Sequence, residues 1–200
     1  MSVVEKDQRN KSAIQKYGEL ILERYNLTDA RKEFTFDFNI HFNIHFNIGI
    51  TNGYQYDPSS ADINIRTFLE KKLRFTAEQS ANAVIVHKTI DKPGLKWHID
   101  DCQLVNFKQN APSYNLEQYI HLEGSKYLYF NTPTKTLPKF TVLFYSSTYK
   151  EDFDGGILNL VDGTQIKPQK QKGFVMDSRE AHMVSPVSRG VRNVSVVKIY

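Results

Sequence analysis

From Phe34 to Ile50 the chain reads "FTFDFNIHFNIHFNIGI", with an apolar residue at every even position and Thr, Asp, Asn, His or Gly between. A period of two belongs to a half-buried strand. The run predicts one long strand, long enough to bend or to lie at a sheet edge. His41 and His45 then fall on its solvated face rather than forming a helical metal pair. Upstream, within residues 5–26, Ile14, Tyr17, Leu20, Ile21 and Tyr25 share one stripe at helical spacing, which predicts an amphipathic helix. A second helix is expected within residues 60–81, with Ser60 as its N-cap and Ile65, Phe68, Leu69 and Leu73 facing inward.

After residue 84 the texture changes to short apolar runs punctuated by Gly, Pro and Asp. Strands are read at "VIVHKTI", "WHIDDCQLVNF", "YIHLEGSKYLYF", "FTVLFYSS", "GILNLVDG", "TQIKPQ", "GFVMDS", "HMVSPV" and "RNVSVVKIY". Separators fall at "DKPG", "NTPTKTLP", "DFDGG", "QKQKG" and "VSRG". Many short strands at close spacing predict a sandwich or barrel, with the preceding helices outside it. The fold class is therefore α+β. Residues 1–80 are expected to support a core formed by residues 81–200, the whole making one structural domain.

Two hundred residues, 40% hydrophobic and 24% charged, suffice for a packed core without disulfides or metal staples. The single cysteine, Cys102, excludes an internal disulfide framework and reads as a small apolar residue. The N-terminus has no apolar signal segment, and no stretch reaches the length of a membrane span. An intracellular protein, cytoplasmic or nuclear, without a membrane partner is expected. Its net charge of +4 comes from scattered lysines, the pattern of a solvated surface more than of a nucleic-acid footprint.

One strand carries unexpected polarity. In "KWHIDDCQL", His98 and Asp100 are two residues apart, so on a strand they point to the same face, while Asp101 points away. Alone, such a pair is a weak signal. Near the C-terminus, however, "AHMVSPVSRGVRNVSVVKIY" supplies His182, and Arg192 follows ten residues later. Two histidines and a carboxylate can occupy one face of an octahedral Fe(II), leaving positions for a bidentate oxo-acid and dioxygen. Arg192 would offer a planar two-pronged donor to the far carboxylate of that acid.

With these residues in order, residues 84–200 resemble the Fe(II)- and 2-oxoglutarate-dependent oxygenases, most closely the prolyl 4-hydroxylase-like branch. The match extends to "GGILNL" from Gly155, Pro168, "KGFVMDS" from Lys172, "HMVSPV" and "GVR" from Gly190. The resemblance implies a double-stranded β-helix, or jelly-roll, core with N-terminal helices packed outside the major sheet. It implies His98, Asp100 and His182 as iron ligands and Arg192 as the anchor of 2-oxoglutarate, the four forming the catalytic set. Ser195 stands where relatives often carry an assisting hydroxyl. A tyrosine commonly helps as well, with Tyr114, Tyr127, Tyr129 and Tyr145 available and Tyr129 and Tyr114 put forward. The implied reaction hydroxylates an unactivated C–H bond using Fe(II), 2-oxoglutarate and O2, with ascorbate as reductant, and releases succinate and CO2.

The branch acts mainly on prolyl residues, so a peptide or protein is the expected substrate. Nucleic acid ranks lower, because the alkylation-repair branch usually carries a second arginine six residues after the first, where this chain has Lys198. A small molecule is a third substrate class. A jelly-roll binding module without catalysis is the non-enzyme alternative, and a monomer or homodimer fits either reading. Trp97 is read as a wall of the site or an ordinary core residue, residues 109–118 as a lid, and His87 and His121 as satisfied or exposed strand residues. Gly155–Gly156 reads as a turn and "KPQKQK" (167–172) as a solvated hairpin.

Overall fold

The computed structural model describes residues 13–40, 58–90, 93–100, 102–106, 119–121, 126–130 and 138–200. His41, His45, Asp101, Tyr114, residues 109–118 and the rest of the alternating run lie outside them. Two antiparallel sheets form the core. Among the described residues, the larger has the order β1 (Lys32–Thr35), β11 (Lys172–Asp177), β7 (Phe140–Tyr145), β14 (Arg192–Ile199) and β2 (Val84–Ile90). The smaller has β10 (Gln165–Ile166), β9 (Leu158–Leu160), β12 (His182–Val184) and β3 (Leu95–His98). The strands β8 (Phe153–Gly155) and β13 (Val187–Gly190) pair beside them. A further sheet has the order β4 (Cys102–Asn106), β6 (Lys126–Phe130), β5 (Tyr119–His121).

The fold is a double-stranded β-helix, and strand parity decides what goes where. On β7 and β14, Leu143, Tyr145, Val194 and Val196 face inward and pack with Leu158, Phe174, Met176 and Val184 between the sheets. The intervening Val142, Phe144, Val197 and Ile199 face outward. Helix α2 (Pro58–Lys71) covers that outer face with Ile65, Phe68 and Leu69, as its helical stripe predicts. Helix α1 (Ala13–Tyr25) lies instead beside β3, where Ile21 packs with Leu27, Ile99 and Ala181.

Several element boundaries differ from the sequence reading. Among the described residues of the alternating run, the strand ends with β1 at Thr35, and Phe36 N–H still donates to the Gln171 carbonyl at 2.9 Å, so the parity holds beyond it. Phe36 and Ile40 are buried and Phe34 and Phe38 half-buried, stacked at 4.8–6.4 Å against one another, Phe68 and Phe144. The second helical region is two helices, α2 and α3 (Ala77–Asn82), with Thr76 and Gln79 forming a capping box on the latter. Ser60 is not an N-cap, because α2 starts at Pro58, which suits a first helical turn, and Ser60 lies inside that turn. Tyr25, the last residue of α1, is 50% exposed rather than inward. The expected strand over residues 97–107 is broken after His98, and β4 belongs to another sheet. Residues 119–130 are likewise two strands. The separators at residues 153–156 and 187–190 supply β8 and β13, their glycines at positive φ making the bends.

Candidate active site

His182 and His98 are direct partners across β12 and β3, with ring centroids 4.3 Å apart. Asp100 is not on the strand, as the sequence reading had it, but in the turn just past its end. The alternation outlasts the strand, so Ile99 is buried against α1 while Asp100 turns to the same cleft as His98. One ligand atom from each of His98, Asp100 and His182 lies within 4.8 Å of the others.

The nearest groups orient all three. His182 Nδ1 is 2.8 Å from the Glu180 carbonyl, and His98 Nδ1 is 2.7 Å from the Lys96 carbonyl. A carbonyl only accepts, so each Nδ1 carries the proton and donates it, which leaves each Nε2 lone pair for a metal. Thr141 donates its hydroxyl to Asp100 Oδ2 at 2.8 Å, and Ser178 Oγ stands 3.0 Å from Thr141 Oγ1. Burial, and then the neighbouring His182, push His98 down from 6.5 to about 4, so its ring is neutral at physiological pH. Burial alone would raise Asp100. Nearby His182, Lys198, the Thr141 hydrogen bond and His98 outweigh it, and the carboxyl stays below its ordinary range. A neutral His98 imidazole beside an ionised Asp100 carboxylate suits a divalent cation.

Arg192 enters the same cleft from β14 and is 2% exposed. Its guanidinium sits 5.3 Å from the centre of the Tyr145 ring. Arg192 Nε and the Tyr145 hydroxyl are both buried without a hydrogen-bond partner. Burial lowers the guanidinium and raises the phenol from their ordinary values, each opposed by the other's proximity. Orphaned buried donors are rare, and Arg192 on the cleft wall, with Tyr145 packed beside it, offers a place for an anionic oxygen. Gly156 makes room for this arrangement: at φ +60°, a Cβ there would stand 2.8 Å from the Phe153 ring and 3.0 Å from Arg192 Cδ. Leu143, Leu158, Val184, Val194 and Val196 form an apolar wall of the cleft, and Lys88 also lines it. Thr141 at the metal end and Tyr145 at the arginine end are four residues apart on β7, about 13 Å along the strand.

The structure thus brings His98, Asp100, His182 and Arg192 to one cleft. Ser195 is not there. Three residues from Arg192 on a strand means the opposite face, and its hydroxyl is 2.7 Å from His87 Nδ1 on the helix side. His87 in turn meets Asp62 of α2 at 3.0 Å, a satisfied strand histidine. Trp97 alternates away from His98 and does not line the cleft. Tyr127 and Tyr129 lie on β6, in the separate sheet. Sequence reasoning missed Thr141 and Glu180 and did not single out Tyr145. The signal for two of them was present, since Thr141 and Tyr145 are the polar ends of the inward parity of "FTVLFYSS".

No family model matches this chain, and no curated protein matches it in sequence. Among solved structures, the viral collagen prolyl hydroxylase of Paramecium bursaria Chlorella virus-1, in complex with 2OG, is 15% identical, with 94% of this chain and 90% of that chain covered at a TM-score of 0.40. A truncated form of the same enzyme is 13% identical, covering 94% and 84% at a TM-score of 0.39. HygX from Streptomyces hygroscopicus, with iron bound, is 12% identical, covering 94% and 77% at a TM-score of 0.40. At these scores the likeness carries no weight for the chemistry, which rests on the site itself.

Proposed function

We propose that this chain is an Fe(II)- and 2-oxoglutarate-dependent dioxygenase that hydroxylates an unactivated C–H bond, with a prolyl residue of a peptide or protein as its substrate. The observation that supports this reading is a single cleft with two differently equipped ends. One end has two imidazole Nε2 atoms and an ionised carboxylate, with His98 and His182 paired across strands. The other has Arg192, its Nε unpartnered and its guanidinium packed beside Tyr145. The first is the two-histidine, one-carboxylate donor set of non-haem Fe(II). The second fits the distal carboxylate of an oxo-acid whose other end reaches that metal.

Iron held by His98, Asp100 and His182, with 2-oxoglutarate and O2, would supply the oxidising power for C–H hydroxylation and the release of succinate and CO2. The chain's own part is placement. Thr141 and the two backbone carbonyls fix the ligands' orientation, Arg192 and Tyr145 neutralise and align the oxo-acid, and the aliphatic walls exclude water. In this reading residues 1–80 support a catalytic core of residues 81–200. The prolyl substrate comes from the sequence resemblance, not from the cleft.

Anaerobic calorimetry tests the assignment. Fe(II) should bind the wild-type protein at one site and Asp100→Ala should not bind it. 2-Oxoglutarate should bind only after the metal, and more weakly to Arg192→Gln. Absence of both binding events in the wild type contradicts the assignment. Hydroxyproline formation in a panel of proline-containing peptides then decides the substrate class.

A further inference from the structure

The segment preceding β1 reaches across the fold to the residues flanking His182. Arg31, at the end of a short 3-10 helix (Leu27–Ala30), donates from Nε to Glu180 Oε1 at 2.9 Å and to Oε2 at 3.2 Å, and Nη2 also donates to Glu180 Oε1. Its Nη1 donates to Asp162 Oδ2 at 2.7 Å and to Thr164 Oγ1 at 3.2 Å, beside the β9–β10 turn. The Glu180 side chain is fully buried. Its backbone carbonyl is the acceptor that holds His182 Nδ1. The intervening Ala181 is buried as well, and α1 presses directly on it. A Cβ on Gly18 would stand 2.5 Å from Ala181 Cβ and 2.9 Å from Val161 Cγ1.

From these contacts we infer that Arg31 is a positioning residue for His182, and that residues 13–31 brace the metal-binding strand from outside the barrel. The inference rests on the metal-site reading above. A buried ion pair is a poor device for stability alone, since an apolar pair of similar size often does as well. What it provides is a fixed geometry, and here that geometry belongs to the two residues immediately before a metal ligand. The carbonyl acceptor of His98 differs in kind, since Lys96 belongs to the same strand as the histidine. Outer-shell partners of ligating histidines influence metal affinity by factors of about 10 to 100.

The test uses the full-length protein with Co(II) as probe, at a temperature where every variant is folded. Arg31→Gln leaves a buried carboxylate alone and risks misfolding, so the deciding variant is Arg31→Gln/Glu180→Gln. It removes the ion pair but keeps the carbonyl that His182 uses. The expected result is Co(II) affinity about tenfold or more below wild type. In the metal-free variant, faster exchange of the His182 Nδ1 proton in 1H–15N spectra should accompany it. Arg189→Gln, which breaks an exposed pair with Asp154, should keep wild-type affinity. Wild-type Co(II) affinity and wild-type ring-proton protection in the double variant would overturn the inference, even with a lowered melting temperature, because the pair would then be structural only. If the wild type itself binds no Co(II), the metal-site reading fails, and ring-proton exchange in the metal-free proteins still decides whether the brace holds His182.

Discussion

Thr141 and Asp100 are forty-one residues apart in the chain, yet the threonine hydroxyl donates to the aspartate carboxylate at 2.8 Å. That bond ties the end of β7 to the turn that follows β3, and Ser178 extends it from the end of β11. It occupies Oδ2, which leaves Oδ1 on the side of His98, 3.9 Å from its Nε2. Thr141→Val keeps the shape and removes the donor. Fe(II) affinity, read by anaerobic titration, should fall about tenfold. An unchanged affinity would mean the carboxylate is oriented by packing alone.

The Arg192–Tyr145 contact makes a graded prediction. A hydrogen bond to a charged group contributes about 1.5–3 kcal/mol, so Tyr145→Phe should raise the KM for 2-oxoglutarate roughly 10- to 100-fold. Arg192→Gln should raise it further, since charge and fork geometry both go. Metal affinity should be unaffected in either variant. A wild-type KM for Tyr145→Phe would exclude its hydroxyl from the oxo-acid.

Much of the candidate site was legible through the resemblance that the order and spacing of its residues carry. His98-x-Asp100, His182 and Arg192 all read out at sequence level and all meet in one cleft. What sequence could not supply was parity relative to the fold. Ser195 lies close to Arg192 in sequence, yet an odd offset on a strand sends it to the opposite face. That the Tyr145 hydroxyl is buried without a partner among the described residues is something only tertiary structure could supply. The Arg31–Glu180 pair spans 149 residues and no short motif encodes it. The fold class followed from strand density. Some boundaries slipped where glycine-rich separators such as residues 153–156 turned out to be hydrogen-bonded edges.

Ser195 supplies a discriminating control. Its hydroxyl serves His87, which in turn meets Asp62 and thereby ties β2 to α2 on the outer face. Ser195→Ala should lower stability by about 1 kcal/mol in urea denaturation and leave the KM for 2-oxoglutarate at its wild-type value. A raised KM with unaltered stability would return Ser195 to the pocket.

The metal-free protein should lose stability on mild acidification. His98 titrates near 4 in the folded chain because it is buried, and next because His182 is close, whereas the unfolded chain takes up that proton near 6.5. Between those values the unfolded state binds more protons, so unfolding free energy falls as pH drops through that window. Asp100, held below its ordinary range, adds to the loss at the acid end. Urea midpoints measured from pH 7 to pH 5 should decline for wild type and decline less for His98→Gln. Equal slopes in both proteins would contradict the assignment of this window to His98.

Oxygen-dependent succinate formation from 2-oxoglutarate, with Fe(II) and ascorbate, comparing wild type with His182→Ala, decides whether the cleft carries out this oxidation. Enzymes of this chemistry can turn over slowly without their prime substrate, so the assay does not depend on knowing it. Succinate from the wild type, lost in His182→Ala and absent without O2, is the result expected of a cleft that holds iron at one end and the oxo-acid at the other. A folded wild-type protein that forms no succinate, and binds neither Fe(II) nor 2-oxoglutarate, would contradict the account.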